Sequence, residues 1–166
     1  MESLWMETFR YHKWANAHLL DQCSRLTEEQ LQLTAPGTYG TIAKTWQHLV
    51  AAEQGYIMRL GGSQRLLSGD DPFPGMTKIA EQLSRSDDEL MELAKTTDGD
   101  HMIQVNWQEG PARLPARIIL VQALHHGNDH RTHICTVLGN HGLGYGEMDV
   151  WSFADATGVV EFASKT

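Results

Sequence analysis

Residues 114–138 read LPARIILVQALHHGNDHRTHICTVL, the longest stretch of helical periodicity in the chain. Ile119, Ala123, His126, His130, Ile134 and Val137 recur at spacings of three and four, which puts them on one helix face. That face is apolar apart from two imidazoles that stand one turn apart. Two histidines where Leu and Val belong call for a partner reaching in from another helix, and a shared metal ion would supply one.

Working outward, the same periodicity covers most of the sequence. A first helix is predicted from about Ser3 to Ser24, with Trp5, Phe9, His12, Asn16, Leu19 and Cys23 as its stripe. Thr27 and Gln30 form a capping box that opens a short turn. Thr41 is the N-cap of a helix reaching about Leu60, where Gly61-Gly62 stops it. A polar loop with Asp70, Asp71, Pro72 and Pro74 follows, then a helix from Thr77, as cap, to about Lys95, with Ile79, Leu83, Leu90 and Leu93 facing inward. Met102–Trp107 alternates apolar and polar and runs into Gly110-Pro111, a strand and a turn. The quoted segment is the fourth long helix, with Pro115 in its first turn. Asp149 caps a short last helix whose apolar residues are Val150, Phe153, Ala154 and Val160. Four long amphipathic helices in one 166-residue chain predict an all-α fold, a single-domain four-helix bundle over residues 1–166 with a hairpin-like insert and an extra C-terminal helix.

Composition removes several classes of function. Thirteen basic against 21 acidic residues give a net charge of −8, which argues against nucleic acid as a partner. The longest run of large aliphatics, Ile118 to Val121, is too short to span a bilayer, and the N-terminus lacks the basic-then-apolar order of a signal peptide. A soluble, cytoplasmic protein with no membrane partner is expected. The two cysteines, Cys23 and Cys135, fall on or near apolar faces and read as small buried hydrophobes rather than a disulfide.

Histidine is the residue in excess, with nine in all. An i, i+4 pair supplies two ligands, and an open metal site needs a third. His48, in mid-helix beside Thr45, Ala52 and Gly55, fits at the right depth. The candidate metal ligands are therefore His48, His126 and His130. Three neutral imidazoles suit Zn²⁺ or Ni²⁺ better than Mg²⁺ or Ca²⁺, and leave a coordination position open. A lone histidine on an apolar face is more often a core side chain hydrogen-bonded to a neighbour, so the combination carries the reading. His133 is a reserve ligand. His12 and Asn16, on the stripe of the first helix, could orient the ligands or satisfy one another. Arg131 could pair with a carboxylate of the bundle or reach an anionic ligand. His125 should face elsewhere, and His18, His101 and His141 should be exposed. Glu53, Asp129 and His133 are candidate general bases by proximity alone. The zincin motif is excluded, because Gly127 stands where that motif has its Glu. Gly127 costs helix propensity and could let another helix approach closely.

Tyr11-His12-Lys13-Trp14-Ala15-Asn16, then Gly40-Thr41-Ile42 with His48-Leu49 and Glu53, then His126-Gly127-Asn128-Asp129-His130-Arg131, resemble in order and spacing the motifs of the DinB/YfiT-like family. His12 replaces that family's usual Asn, and Thr132-His133 stands where Gly-Gln often follows. The resemblance covers nearly the whole chain. It implies an up-down-down-up bundle with a long crossover, a divalent metal, often Zn or Ni, on His48, His126 and His130, and a homodimer. It further implies a transferase or isomerase that uses a low-molecular-weight thiol as cosubstrate on a small-molecule substrate. The alternatives are a non-catalytic metal-binding or stress-response module and a metal-dependent hydrolase.

Overall fold

The computed structural model describes residues 4–107 and 109–161. Among them, the elements run α1 (Leu4–Cys23), α2 (Glu28–Leu31), α3 (Ile42–Arg59), α4 (Met76–Thr96), β1 (Met102–Trp107), β2 (Gly110–Pro115), α5 (Ala116–Asn140) and α6 (Val150–Ala156). The fold is mostly helical, with one antiparallel hairpin pairing Met102 with Pro115 and Trp107 with Gly110.

Two core clusters fix the helix directions. One end of the bundle gathers Leu19 and Cys23 of α1, Ile42 and Trp46 of α3, Ile79 and Leu83 of α4, and Ile134 and Leu138 of α5. The other end gathers Met6 and Phe9, Ile57, Leu90 and Ala94, and Leu120 and Ala123. Helices α1 and α5 thus run toward the first cluster and α3 and α4 away from it, the up-down-down-up order. Consecutive parallel helices cannot be joined by a tight turn, so residues 60–75 cross the length of the bundle as irregular chain. Buried glutamines of α3 hold this crossover. Gln54 Oε1 accepts from the Leu66 and Leu67 amides at 2.9 and 3.0 Å. Gln47 Nε2 donates to the Ser68 and Asp71 carbonyls at 2.7 and 2.8 Å. Each of α1 and α3 packs against both α4 and α5.

Four local expectations need correction. Thr77 lies inside α4, and the N-cap is Gly75, whose φ of 89° swings the chain into the helix without a side-chain cap. Leu114 and Pro115 end β2, so α5 starts at Ala116 with Pro115 as its cap residue. The chain from Gly110 is a full strand despite Pro111 and Pro115, which a two-stranded hairpin tolerates because each strand has one unpaired edge. Helix α6 ends at Ala156, leaving Val160 outside it and exposed. The caps at Thr27, Thr41 and Asp149 form as predicted, each side chain accepting from a backbone amide three residues on. No described helix is long and apolar enough to cross a membrane.

Candidate metal centre

The hexapeptide His126–Arg131 is two interleaved i, i+4 pairs. His126 and His130 occupy one stripe of α5, while Gly127 and Arg131 occupy the next, one residue and about 100° around the helix. Each stripe builds a different cluster.

The first stripe meets His48 of α3. One ring nitrogen from each of His48, His126 and His130 lies within 4.8 Å of the other two. The Nε2 atoms of His48 and His126 are 3.1 Å apart. Two nitrogens on one tetrahedral zinc are about 3.3 Å apart, so this spacing fits a shared ion as well as it fits a single N–H···N bond. His130 Nδ1 is buried without a hydrogen-bond partner, so that ring is not fixed by a hydrogen bond there. Tyr39 stacks on His48 with ring centroids 4.2 Å apart and presents its edge to His130 at 5.0 Å. Tyr56 stands edge-on to His126 at 5.7 Å.

Electrostatics keep these rings neutral. Burial, then the neighbouring rings, push His126 down to about 3 and His130 to about 4. Burial, then Arg65 and Lys44, lower His48 as well. Neutral imidazoles carry the lone pairs that a divalent ion requires. The donor set therefore fits a borderline-soft ion such as Zn²⁺ or Ni²⁺.

His48 also lines a cavity of about 660 Å³, together with Tyr39, Lys44, Ala51, Ala52, Gly55, Tyr56, Arg59, Arg65, Gly69 and Asp70. None of the candidate general bases lines it. Glu53 is buried on another face of α3, Asp129 is exposed, and His133 sits edge-on to His130 at 5.4 Å.

The second stripe builds a buried polar cluster from four helices. His12, Asn16, Glu53, Asp87 and Arg131 are each at most 3% exposed. Arg131 Nη1 donates to Asn16 Oδ1 at 2.6 Å and to His12 Nδ1 at 3.3 Å. An arginine only donates, so Nδ1 accepts and the single ring proton of His12 sits on Nε2. That N–H donates to Glu53 Oε2 at 2.9 Å. Asn16 Nδ2 donates to Asp87 Oδ1 at 2.8 Å. His12 and Asn16 thus hydrogen-bond Glu53, Asp87 and Arg131 rather than the three clustered imidazoles, and Arg131 donates to His12 and Asn16. Gly127 is the floor under His12, where an added Cβ would lie 2.3 Å from His12 Cε1.

This cluster holds two carboxyls against one guanidinium. Burial pushes Glu53 up to about 8, partly opposed by Arg131. Burial, reinforced by Glu53, raises Asp87 well above the usual carboxylate range. Burial, then Arg131, lowers His12 to about 4. With Arg131 as the cluster's one fixed cation, a proton on one of the two carboxyls would leave it neutral. Glu53 Oε1, with no partner, is where that proton costs least.

The linkage has a definite sign. Between about 4.5 and about 8 the folded chain keeps a proton on Glu53 that the unfolded chain has released, so stability from this group declines as pH rises through that window. His12 acts oppositely: stability declines as pH falls from about 6.5 to about 4. Glu53→Gln has no proton to lose. Urea unfolding at pH 5 and pH 8 should show the variant gaining roughly 2–4 kcal/mol on wild type between the two. Parallel curves would show that Glu53 is ionised throughout.

Asp87 and the two tyrosines escaped the sequence reading. Asp87 does fall on the α4 stripe, four past Leu83 and three before Leu90, and that phase was the available signal. His18 is half-buried rather than exposed, stacked on Trp14 at 5.2 Å. His125, His101 and His141 are exposed as expected. Both cysteines are free, and burial pushes Cys23 up to about 11 and Cys135 to about 12, so neither is a ready nucleophile.

Comparison with known proteins agrees with this architecture. A DinB-like protein from Bacillus cereus ATCC 10987, solved by crystallography, is similar in fold with a TM-score of 0.70 and 21% identity, over 86% of this chain and 94% of that one. No curated protein matches. The model of the DinB family matches residues 1–164, and the chain belongs to that family.

Proposed function

We propose that this protein is a metal-dependent enzyme acting on small molecules, a transferase or isomerase that uses a low-molecular-weight thiol, with a divalent ion held by His48, His126 and His130. The observation that carries the reading is a cluster of three imidazoles, with no fourth side-chain ligand grouped with them, one of which, His48, lines a cavity. A bound Zn²⁺ or Ni²⁺ would supply Lewis acidity, lowering the pKa of a thiol presented to it. The chain's own residues do the rest. Tyr39 stacks on the His48 ring and Tyr56 stands edge-on to His126. Ala51, Ala52 and Gly55 leave room for a ligand beside them. Thiol chemistry asks least of the surrounding residues, because a thiol needs no further base once its proton affinity has fallen. A purely structural ion fits less well, since the two core clusters already tie all four helices together without it.

The test is turnover of a chlorodinitrobenzene electrophile with a panel of small thiols. Turnover with at least one thiol, abolished by chelator and restored by Zn²⁺ or Ni²⁺, is expected. Turnover indifferent to chelator, or absent with every thiol, would favour the non-catalytic module.

A further inference from the structure

The cavity beside His48 is cationic in a chain whose net charge is −8. Lys44, Arg59 and Arg65 stand around it, with Asp70 as the only acidic residue of the lining. None of the three cations makes an ion pair among the described residues. Arg59 Nη1 donates to the Gly55 carbonyl at 2.9 Å, Arg65 Nε donates to the Leu67 carbonyl at 2.6 Å, and Lys44 Nζ lies 5.9 Å from the centre of the Tyr39 ring. Carbonyls and rings orient a cation without neutralising it, so each keeps charge and donors to offer.

Their placement is built. Lys44 and Arg59 project from opposite ends of α3, either side of His48. Arg65 comes from the crossover, where the Gln54 and Gln47 hydrogen bonds fix residues 66–71 against α3. The irregular crossover is thereby held so that one guanidinium shares the cavity with His48. The chain has 21 acidic residues against 13 basic ones, yet among the described residues no acid pairs with these three. A surrounded pocket that leaves three cations unmatched is arranged for a negative ligand.

We infer that this cavity binds small molecules carrying two or more carboxylates, seated on Lys44, Arg59 and Arg65 with the rest of the molecule directed at His48. This rests on the proposed function for the thiol end of the ligand, but the anion seat stands separately. Arg59 and Arg65 are specificity-determining residues: they select which thiol or acceptor enters, and neither touches the imidazoles.

Calorimetric titration of the Zn²⁺-loaded protein with mercaptosuccinate, with uncharged thioglycerol and with succinate separates the two ideas. Mercaptosuccinate should bind roughly tenfold or more tighter than thioglycerol, and the difference should collapse in Arg59→Gln/Arg65→Gln and shrink with salt. Both changes are at exposed side chains, and an unchanged circular dichroism melt will confirm that the variant is folded. If succinate binds in a charge-dependent way while neither thiol adds affinity, the anion seat holds and the thiol reading falls. If both thiols bind wild type equally, or the variant discriminates as well as wild type, the anion seat is wrong whatever becomes of the thiol. Absence of binding by all three probes also overturns it.

Discussion

Gly127→Ala should destabilise the protein by about 2–4 kcal/mol, although the same change in an exposed helix would stabilise it by about 1 kcal/mol. The added methyl would sit 2.3 Å from His12 Cε1 and 2.9 Å from His12 Nδ1. A flexible side chain could step aside, but His12 is held by Glu53 on one ring nitrogen and Arg131 on the other. Moving it breaks hydrogen bonds inside a cluster where an unmatched charge is expensive. Urea unfolding measures the loss. Pairing the change with His12→Ala gives a second readout, because the double variant should lose much less than the sum of the singles. An additive cycle, or a Gly127→Ala protein as stable as wild type, would mean that α1 and α5 do not meet at this point.

His126→Ala/His130→Ala should reduce the metal content of the purified protein from about one ion per chain to near zero, with little change in fold. Truncating His126 and His130 removes two of the three proposed donors, and one imidazole cannot retain a divalent ion through purification against solvent and buffer. The fold should tolerate the change because both core clusters lie above and below the ring layer and contain neither histidine. Elemental analysis of both proteins, purified in parallel, decides. Equal metal in the two would place the ion elsewhere.

How much of this was legible beforehand differs by element. The α5 stripe was readable because its apolar positions keep one phase from Ile119 to Val137, so two histidines within it stood out. His48 was readable from its mid-helix depth and its small neighbours, since mid-helix positions of packed helices lie at similar heights. The helix directions were not in the periodicity, which is the same for either polarity; they came with the family resemblance, and the two core clusters show them independently. Asp87 went unread because it adjoins Asp88, and only the helix phase separates the buried member from the exposed one. Pro111 and Pro115 suppressed β2, because a proline-containing strand needs knowledge that its edge is unpaired. Arg65 carries no periodic signal, and its position follows from side-chain hydrogen bonds that two glutamines make to the backbone. Local propensity reads elements well, whereas the cavity rim depends on a crossover path that no local pattern encodes.

The role of Gly127 was anticipated as permitting close approach, and the structure identifies what approaches: an imidazole from α1. The same hexapeptide therefore serves two needs at once. One stripe brings two imidazoles to His48, and the other locks the register of α5 against α1, α3 and α4 through Arg131 and its partners. Rigidity of that kind matters to a metal site, whose ligands must hold position without a fourth side chain.

Two groups of side chains among the described residues have the spacing of a cation site: His48 with His126 and His130, and His12 with Glu53 and Asp87. The second is sealed and already carries Arg131, so an added cation there would meet like charge. X-ray absorption spectroscopy on the zinc-loaded protein distinguishes them directly. Three imidazole nitrogens at about 2.0–2.1 Å, with one further light atom, is the predicted first coordination sphere. A sphere dominated by carboxylate oxygens with a single imidazole would put the ion in the sealed cluster and contradict the assignment.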